Sequence, residues 1–216
     1  YTLTATCCQI DLIKLFKGGF SSGHGHLREP NDISSYAALA CIAIEADQND
    51  MHGGQSVPNF DYAMAQGTAK TYRKKYRENE ARCLELLCGC ENAEKTAERI
   101  AEEILSEKNI FPVLDNNNGY KEAELEKLLQ ITDVQTAERI QSYSREEAEK
   151  ETDKAVYQAM EAFIHNLNVM NSRAGAQVPF SSINYGTDTS SEGRMVIKNV
   201  LLASETGIGD GETPIF

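Results

Sequence analysis

The pattern of apolar positions at the beginning of the chain predicts a strand followed by a helix. Residues 2–13 are mostly apolar or β-branched and contain neither Gly nor Pro, which is typical of a strand. The glycine-rich run KGGFSSGHGHLREPND (17–32) predicts a loop that ends at a helix N-cap, either Asn31 or Asp32. Apolar residues then recur at 33, 36, 37, 40, 41 and 44, so this spacing predicts a helix over 33–49.

The middle of the chain is charged, and its apolar spacing predicts helices. After a second loop, DMHGGQSVPN (50–59), a long helix is expected over about 60–88. Further helices are expected at 92–108, 121–130, 133–142 and 145–169. The last two have the spacing of a capping box at their starts, Thr132 with Gln135 and Ser144 with Glu147.

The C-terminal part of the chain returns to an alternation of strands and helices. The pattern predicts a strand over 177–184, a helix over 192–205 and a new strand at 213–216. The order is therefore strand, large helical insertion, strand, helix, strand. Strands joined through helices favour a parallel sheet, so the predicted fold class is α/β. Its first two strands would be about 160 residues apart in sequence.

The run SRAGAQVPFSSINYGTDTSSEGRMV (172–196) gathers polar side chains around the second predicted strand. It combines an Arg, a Gln, an Asn and several hydroxyls with a short apolar segment. Polar groups within a buried strand are costly unless they pair with each other or with a ligand. We therefore expect the end of this strand to face a polar cavity.

Composition and charge exclude some classes of function. The formal net charge of −12 argues against a nucleic-acid surface, which needs a basic footprint. No apolar run approaches the ~18 residues of a membrane span, and no signal peptide is recognisable. The six cysteines lack the spacing of a small secreted scaffold, so they read as reduced thiols of a cytoplasmic protein. The chain begins without Met and stops within a predicted strand, as a piece of a longer protein would.

Two groups of cysteines are candidates for chemistry. Cys7 and Cys8 would point to opposite faces of the first strand, so one could face a cavity while the other packs in a layer. Either they are small core residues, or one is an exposed reductant or nucleophile. Cys83, Cys88 and Cys90 lack a second ligand pair for zinc and are better explained as helix-end thiols, so no metal site is expected.

The run KTYRKKYR places Lys70, Arg73, Lys74 and Arg77 on one helix face. In an acidic protein such a face is either a solvated surface or a phosphate contact, for which Lys and Arg are the natural donors.

Four long runs resemble the anaerobic, class III, oxygen-sensitive ribonucleoside-triphosphate reductases of the glycyl-radical enzyme superfamily. The runs are CCQIDLIKLFKGGF, DMHGGQSVPNFDYAMAQGTAK, SRAGAQVPFSSINYGTDTSSEGRM and GETPIF, and they occur in the order of the family. The match is weakest over 80–145. The resemblance spans the chain and is more specific than any single short motif.

The resemblance implies a ten-stranded α/β barrel, of which residues 1–216 would be a part. Strands near 3–12, 177–184 and 213–216 would belong to the barrel, and a helical dimer and effector region would lie within about 33–169. Cys7 aligns with the barrel-strand cysteine that works beside the thiyl cysteine in substrate reduction. Ser181, Ser182 and Asn184 are the candidate substrate-binding residues, with the inward-facing ones left open by strand alternation. Lys70, Arg73 and Lys74 are the candidate effector-binding residues.

The resemblance also implies partners and cofactors. The substrate would be a ribonucleoside triphosphate, reduced to a deoxyribonucleotide for DNA synthesis, and ATP or deoxynucleotides would act as allosteric effectors on a homodimer. The parent protein would use a glycyl radical installed by an iron–sulfur, S-adenosylmethionine-dependent activating enzyme, and a C-terminal zinc site. Counterparts of the thiyl loop, the glycyl-radical loop and the zinc cysteines are absent from these 216 residues, so no cofactor is expected within this segment. The alternative is a non-catalytic nucleotide-binding dimerisation module.

Overall fold

The computed structural model describes residues 6–23, 25–172, 177–209 and 212–214 of the chain. Parts of three predicted features lie outside the described residues, namely 2–5 of the first strand, 173–176 of the polar run and 215–216 of the last strand. The strands are β1 (Cys8–Gln9), β2 (Phe20–Ser21), β3 (His26–Leu27), β4 (Gln55–Val57) and β5 (Ser181–Ile183). The helices are α1 (Leu12–Phe16), α2 (Ile33–Asp50), α3 (Phe60–Cys88), α4 (Ala93–Lys108), α5 (Tyr120–Leu128), α6 (Val134–Val169) and α7 (Ser191–Thr206).

The protein is a mixed α/β structure with mostly helices and a small sheet, and it divides into two compact units. Unit 1 comprises residues 1–68 and 155–216, and unit 2 comprises residues 69–154. The long helices α3 and α6 each contribute residues to both units. All the strands belong to unit 1, whereas the described part of unit 2 is built from helices and loops.

The main sheet of unit 1 is parallel, as predicted, but it contains a strand, β4, that the sequence pattern does not predict. Strand β4 lies in the middle and pairs in parallel with β1 on one side and β5 on the other. The sequence pattern assigned β4 to a loop, and that prediction was wrong. The strand consists only of Gln, Ser and Val after two glycines, so it has no apolar run that would predict it. It forms because its backbone pairs with strands that are distant in the sequence.

The first predicted strand is shorter than expected. It ends at Gln9, and the next residues form helix α1. The reason is Asp11, whose side chain caps this helix by accepting a hydrogen bond from Lys14 N at 3.2 Å. The glycine-rich loop that follows contains the antiparallel hairpin of β2 and β3.

Helix α2 confirms the periodicity prediction, and of the two candidate N-caps it uses Asp32. Asp32 accepts a hydrogen bond from Ser35 N at 2.8 Å, and Ser35 Oγ reaches back to the Asp32 backbone, which completes a capping box. Ile33 and Ile44 are fully buried on the apolar face of this helix. Phe60 of α3 and Phe163 of α6 lie in the same core, with ring centroids 4.9 Å apart.

Helix α6 corrects the expectation of two helices over 133–142 and 145–169. It runs without interruption through Ser144, which is completely buried, so the capping-box spacing at that point does not start a helix. At the beginning of α6, Asp133 rather than Thr132 accepts the hydrogen bond from Thr136 N, at 3.1 Å. A hydroxyl at cap spacing begins a helix only where the backbone of that residue is itself extended, and tertiary packing decides this.

Within unit 2, helix α4 is amphipathic and buries Ala97, Ile100 and Ile104. It ends at Asn109, which adopts a left-handed conformation (φ 54°) and donates its backbone N–H to Leu105 O. The helices predicted over 60–88, 92–108, 121–130 and 192–205 are confirmed to within two residues at each end. The last predicted strand is not formed at 213–214, the two described residues of that stretch.

Candidate functional site

The three-stranded sheet has one face directed toward the helices of unit 1. In the register of the sheet, Cys8 lies beside Gln55, and Gln55 lies beside Ser181. Side chains paired across parallel strands share a face, and successive side chains along a strand alternate. Gln55 is 1% exposed and Cys8 packs against the hydrophobic core, so these three residues point toward the helices.

The opposite face of the sheet is open and polar. Gln9, Ser56 and Ser182 are the next residues of their strands and lie side by side in the register. Gln9 and Ser182 are exposed and Ser56 is half-buried. The sheet therefore presents a row of amide and hydroxyl groups on this face, which are suitable partners for a polar ligand.

The adjacent cysteines lie in different environments. Cys7 is exposed at the entrance to β1, whereas Cys8 shares a groove with Ala43 and Asp47 of helix α2. Burial, together with the neighbouring carboxylate of Asp47, raises the pKa of the Cys8 thiol above its ordinary value. Because the thiolate is the reactive form, the raised pKa makes the Cys8 thiol less reactive. Of the two thiols, that of Cys7 is the one exposed to solvent.

Two glycines let the chain approach β1 and β5 closely before it enters β4. A Cβ atom at Gly53 would collide with the backbone carbonyl of Thr6 and would lie 2.6 Å from Cys7 Sγ. A Cβ atom at Gly54 would lie 3.0 Å from the ring of Phe180. The GGQS motif is therefore a packing requirement of the sheet beside the Cys7 thiol.

The three candidate substrate-binding residues do not share a face. Ser181 points toward the helices, and within the described part of the chain its buried Oγ has no hydrogen-bond partner. Ser182 and Asn184 are exposed and, two residues apart on extended backbone, lie on the open side. The backbone of Asn184 is fixed by hydrogen bonds to Val57 O (2.9 Å) and from Phe60 N (3.1 Å).

The loop after β5 is held by a buried carboxylate at the start of α3. Oδ2 of Asp61 accepts hydrogen bonds from the backbone N–H groups of Gly186 (2.8 Å), Thr187 (3.0 Å) and Asp188 (2.9 Å). Its Oδ1 accepts a fourth from Tyr62 N at 3.0 Å. Burial by itself would raise the pKa of Asp61, but these four hydrogen bonds outweigh it and hold the pKa below its ordinary value.

The candidate effector-binding residues lie on helix α3 in unit 2, the unit without strands. Lys74 is exposed and Lys70 is half-buried. The guanidinium of Arg73 lies over the ring of Phe111, with 3.3 Å between its central carbon and the ring centroid. This cation–π contact fixes the position of Arg73 within unit 2, and Lys74 is the residue of the three most open to an anionic ligand.

Over the described ranges, no group of three or more His, Cys, Asp or Glu side chains is arranged to hold a metal ion. Over the same ranges, no helix has both the length and the apolar character needed to cross a bilayer.

Some residues of the site could not be found from the sequence. Ser56 was assigned to a loop, and Gln9 was one polar residue in an apolar run, so neither carried a local signal. Asp61 is one acidic residue near the start of a predicted helix, and no local spacing distinguishes it. Its role depends on partners that are 125 to 127 positions away in the chain.

A parallel sheet with helices on one face and an exposed thiol beside polar groups on the other defines an α/β protein. The sequence model of the family described as "Anaerobic ribonucleoside-triphosphate reductase" matches residues 1–216, and the chain belongs to this family. A similar curated protein is the anaerobic ribonucleoside-triphosphate reductase of Enterobacteria phage T4, which is 25% identical over 211 residues. The alignment covers 97% of this chain and 25% of the phage protein, so the chain spans about a quarter of the length of that relative.

Proposed function

We propose that this chain is part of the catalytic barrel of an anaerobic ribonucleotide reductase, with Cys7 as a thiol that takes part in substrate reduction. The observation that carries the proposal is the sheet itself. Helices cover one face, Cys8 points to that face, and Cys7 is exposed beside a polar row on the other. A barrel wall has this construction, with helices outside and functional side chains inside. Family membership does not favour the alternative of a non-catalytic module.

The complete barrel would have ten strands, and β1, β4 and β5 would form one part of its wall. In this arrangement the open face becomes the inner wall of a cavity that shields radical intermediates from water. A thiyl radical elsewhere in the barrel would abstract the 3′-hydrogen of a ribonucleoside triphosphate, and Cys7 would take part in the reduction at C2′. Ser182 and Asn184 would contact the nucleotide, and Ser181 would support the strand from its helix-covered side.

The other expected components belong to the same proposal. The glycyl radical, the iron–sulfur, S-adenosylmethionine-dependent activating enzyme and the zinc site would be supplied outside these residues, whose described part has no metal-ligand group of three. ATP and deoxynucleotides would act on a homodimer in the cytoplasm, and Lys74 with Lys70 would contact effector phosphates. Arg73 would hold this surface in place through Phe111.

The test compares Cys7→Ala with Cys8→Ala in the complete reductase. Cys7→Ala should abolish nucleotide reduction because it removes the accessible thiol of the open face. Cys8→Ala should retain most of the activity, since it removes only a small partly buried group. Turnover should be expressed per glycyl radical, measured by electron paramagnetic resonance. An inactive Cys8 variant together with an active Cys7 variant would reverse the assignment.

A further inference from the structure

The run from Asn184 to Ser190 joins β5 to α7. It is hydrogen-bonded at several points to residues 57–62, which comprise the end of β4, the connection to α3 and the first residues of α3. In addition to the two backbone hydrogen bonds of Asn184, Tyr62 Oη donates to Thr187 O at 3.0 Å. These two connections follow the carboxyl ends of neighbouring parallel strands. In open parallel sheets, the loops at the carboxyl ends of the strands are where ligands bind.

Asp61 supplies the central hydrogen bonds between these two connections. It is completely buried, and one of its oxygens receives three successive backbone N–H groups of the loop. Gly186 adopts a positive φ of 108°, a conformation that suits glycine and turns the N–H groups toward the carboxylate. Hydrogen bonds to an ionised acceptor are among the stronger ones in proteins, so they select one loop conformation from the many that this sequence could adopt.

The far end of the loop is fixed against helix α7. Ser190 caps the helix by accepting a hydrogen bond from Gly193 N at 3.0 Å, and Asp188 Oδ1 accepts one from Ser190 N at 2.9 Å. A Cβ atom at Gly193 would collide with the Asp188 carboxylate. The loop is therefore held at both ends, by Asp61 at the start of α3 and by the first turn of α7.

We propose that Asp61 is a positioning residue: by holding the turn at residues 186–188, it keeps the end of β5 in the geometry in which Asn184 binds the ribonucleotide. This inference rests on the proposed function. Asp61, a residue of α3, would determine the geometry of the substrate-binding end of β5. Asp61 itself does not touch the substrate. Asp61 increases the fraction of molecules in which the loop already has the binding conformation.

The test uses Asp61→Ala in the complete reductase. This change removes the acceptor of four backbone N–H groups, so the loop populates other conformations. When only a tenth of the molecules are competent, the apparent dissociation constant rises tenfold. We therefore expect the KM for the ribonucleotide to increase about tenfold, with kcat per glycyl radical close to that of the wild type. Asp61→Asn keeps one neutral acceptor oxygen and should show an intermediate KM.

Asp32→Ala is the matched structural control. It also removes an aspartate that accepts a backbone N–H at a helix start of unit 1, but it does not touch the loop. It should lower thermal stability and leave the KM unchanged. If Asp61 had a purely structural role, Asp61→Ala would behave like the control, with lower thermal stability and an unchanged KM. That outcome would overturn the inference.

A second variant keeps the test decisive if Asp61→Ala does not fold. Tyr62→Phe removes only the hydroxyl that donates to Thr187 O. By the same reasoning it should raise the KM by a smaller factor, about threefold. An unchanged KM would overturn the inference. A wild-type protein that fails to reduce ribonucleotides would overturn the proposed function instead, so the two failures are distinguishable.

Discussion

Replacement of Glu80 by Gln should remove much of the pH dependence of stability in unit 2. Glu80 on α3 and Glu124 on α5 are 1% and 0% exposed. Oε2 of Glu124 accepts hydrogen bonds from Tyr76 Oη (2.8 Å) and from Gln141 Nε2 (2.7 Å). Within the described residues, neither carboxyl oxygen of Glu80 has a hydrogen-bond partner. Glu124 is thus placed to carry the negative charge and Glu80 to stay protonated.

Burial and mutual repulsion oppose ionisation of the pair. Burial raises the pKa of Glu124 to about 7, against the smaller lowering effects of Tyr76 and Gln141. Burial, followed by the charge of Glu124, raises the pKa of Glu80 well above its ordinary value, and Arg77 only partly opposes this. Tyr72 and Tyr120 are further titratable groups near the two glutamates.

The sign of the pH effect follows from these raised values. A carboxyl group whose pKa is higher in the folded state contributes stability below its unfolded pKa, here 4.5. That stability is lost as the pH rises from 4.5 through the folded pKa. The loss is about 1.4 kcal/mol per pH unit for each group. Glu80 alone should therefore lower the free energy of unfolding steadily as the pH rises from 5 toward its raised pKa.

Glu80→Gln preserves the shape of the side chain and cannot ionise, so this loss should disappear. The free energy of unfolding of the variant, relative to the wild type, should increase by at most about 1.4 kcal/mol per pH unit from pH 5 to the raised pKa of Glu80 and stay constant above it. Amide hydrogen exchange of peptides from 69–154, compared at the same pH in both proteins, measures this difference locally. Glu98→Gln, which makes the same chemical substitution at an exposed position on α4, is the control. A constant difference between Glu80→Gln and the wild type from pH 5 to pH 8 would refute a protonated Glu80.

Two further predictions concern the basic helix face and the glycines beside Cys7. Lys74→Ala in the complete reductase should weaken deoxynucleotide binding by about 1–3 kcal/mol, the value of a hydrogen bond to a charged group. Calorimetric titration at two salt concentrations measures this, and equal affinities at low salt would make the face a solvated surface. Gly53→Ala should destabilise unit 1 by about 1–3 kcal/mol, because the added Cβ forces β4 away from β1. Urea unfolding tests this, and a wild-type midpoint would show that the two strands can separate without cost.

Local sequence patterns determined most of the helices and the N-cap of α2. Helix α2 begins after Asp32 because a carboxylate at that position caps the backbone, and its buried positions follow the 3.6-residue period. The same local reasoning placed Cys7 and Cys8 in different environments, since adjacent residues of an extended chain point to opposite sides. These features depend on residues within one or two turns of each other, so the sequence contains the information directly.

Only the tertiary structure decided which side of the sheet is open and which strands form it. Strand β4 exists because its backbone finds β1 on one side and β5 on the other, and neither partner is near it in sequence. The spacing of Ser144 with Glu147 resembles a helix start, but α6 continues through Ser144 without interruption. Ser144 is buried there.

The buried charges were decided in the same way. Asp61 and Glu80 look like ordinary acidic residues of a charged helix in the sequence, and the protein surrounds them with very different partners. Asp61 is stabilised as an anion by backbone N–H groups from beyond residue 185, whereas Glu80 is buried beside a second carboxyl group. The energy of a buried charge depends on the groups around it in space. Sequence spacing along one helix does not contain that information.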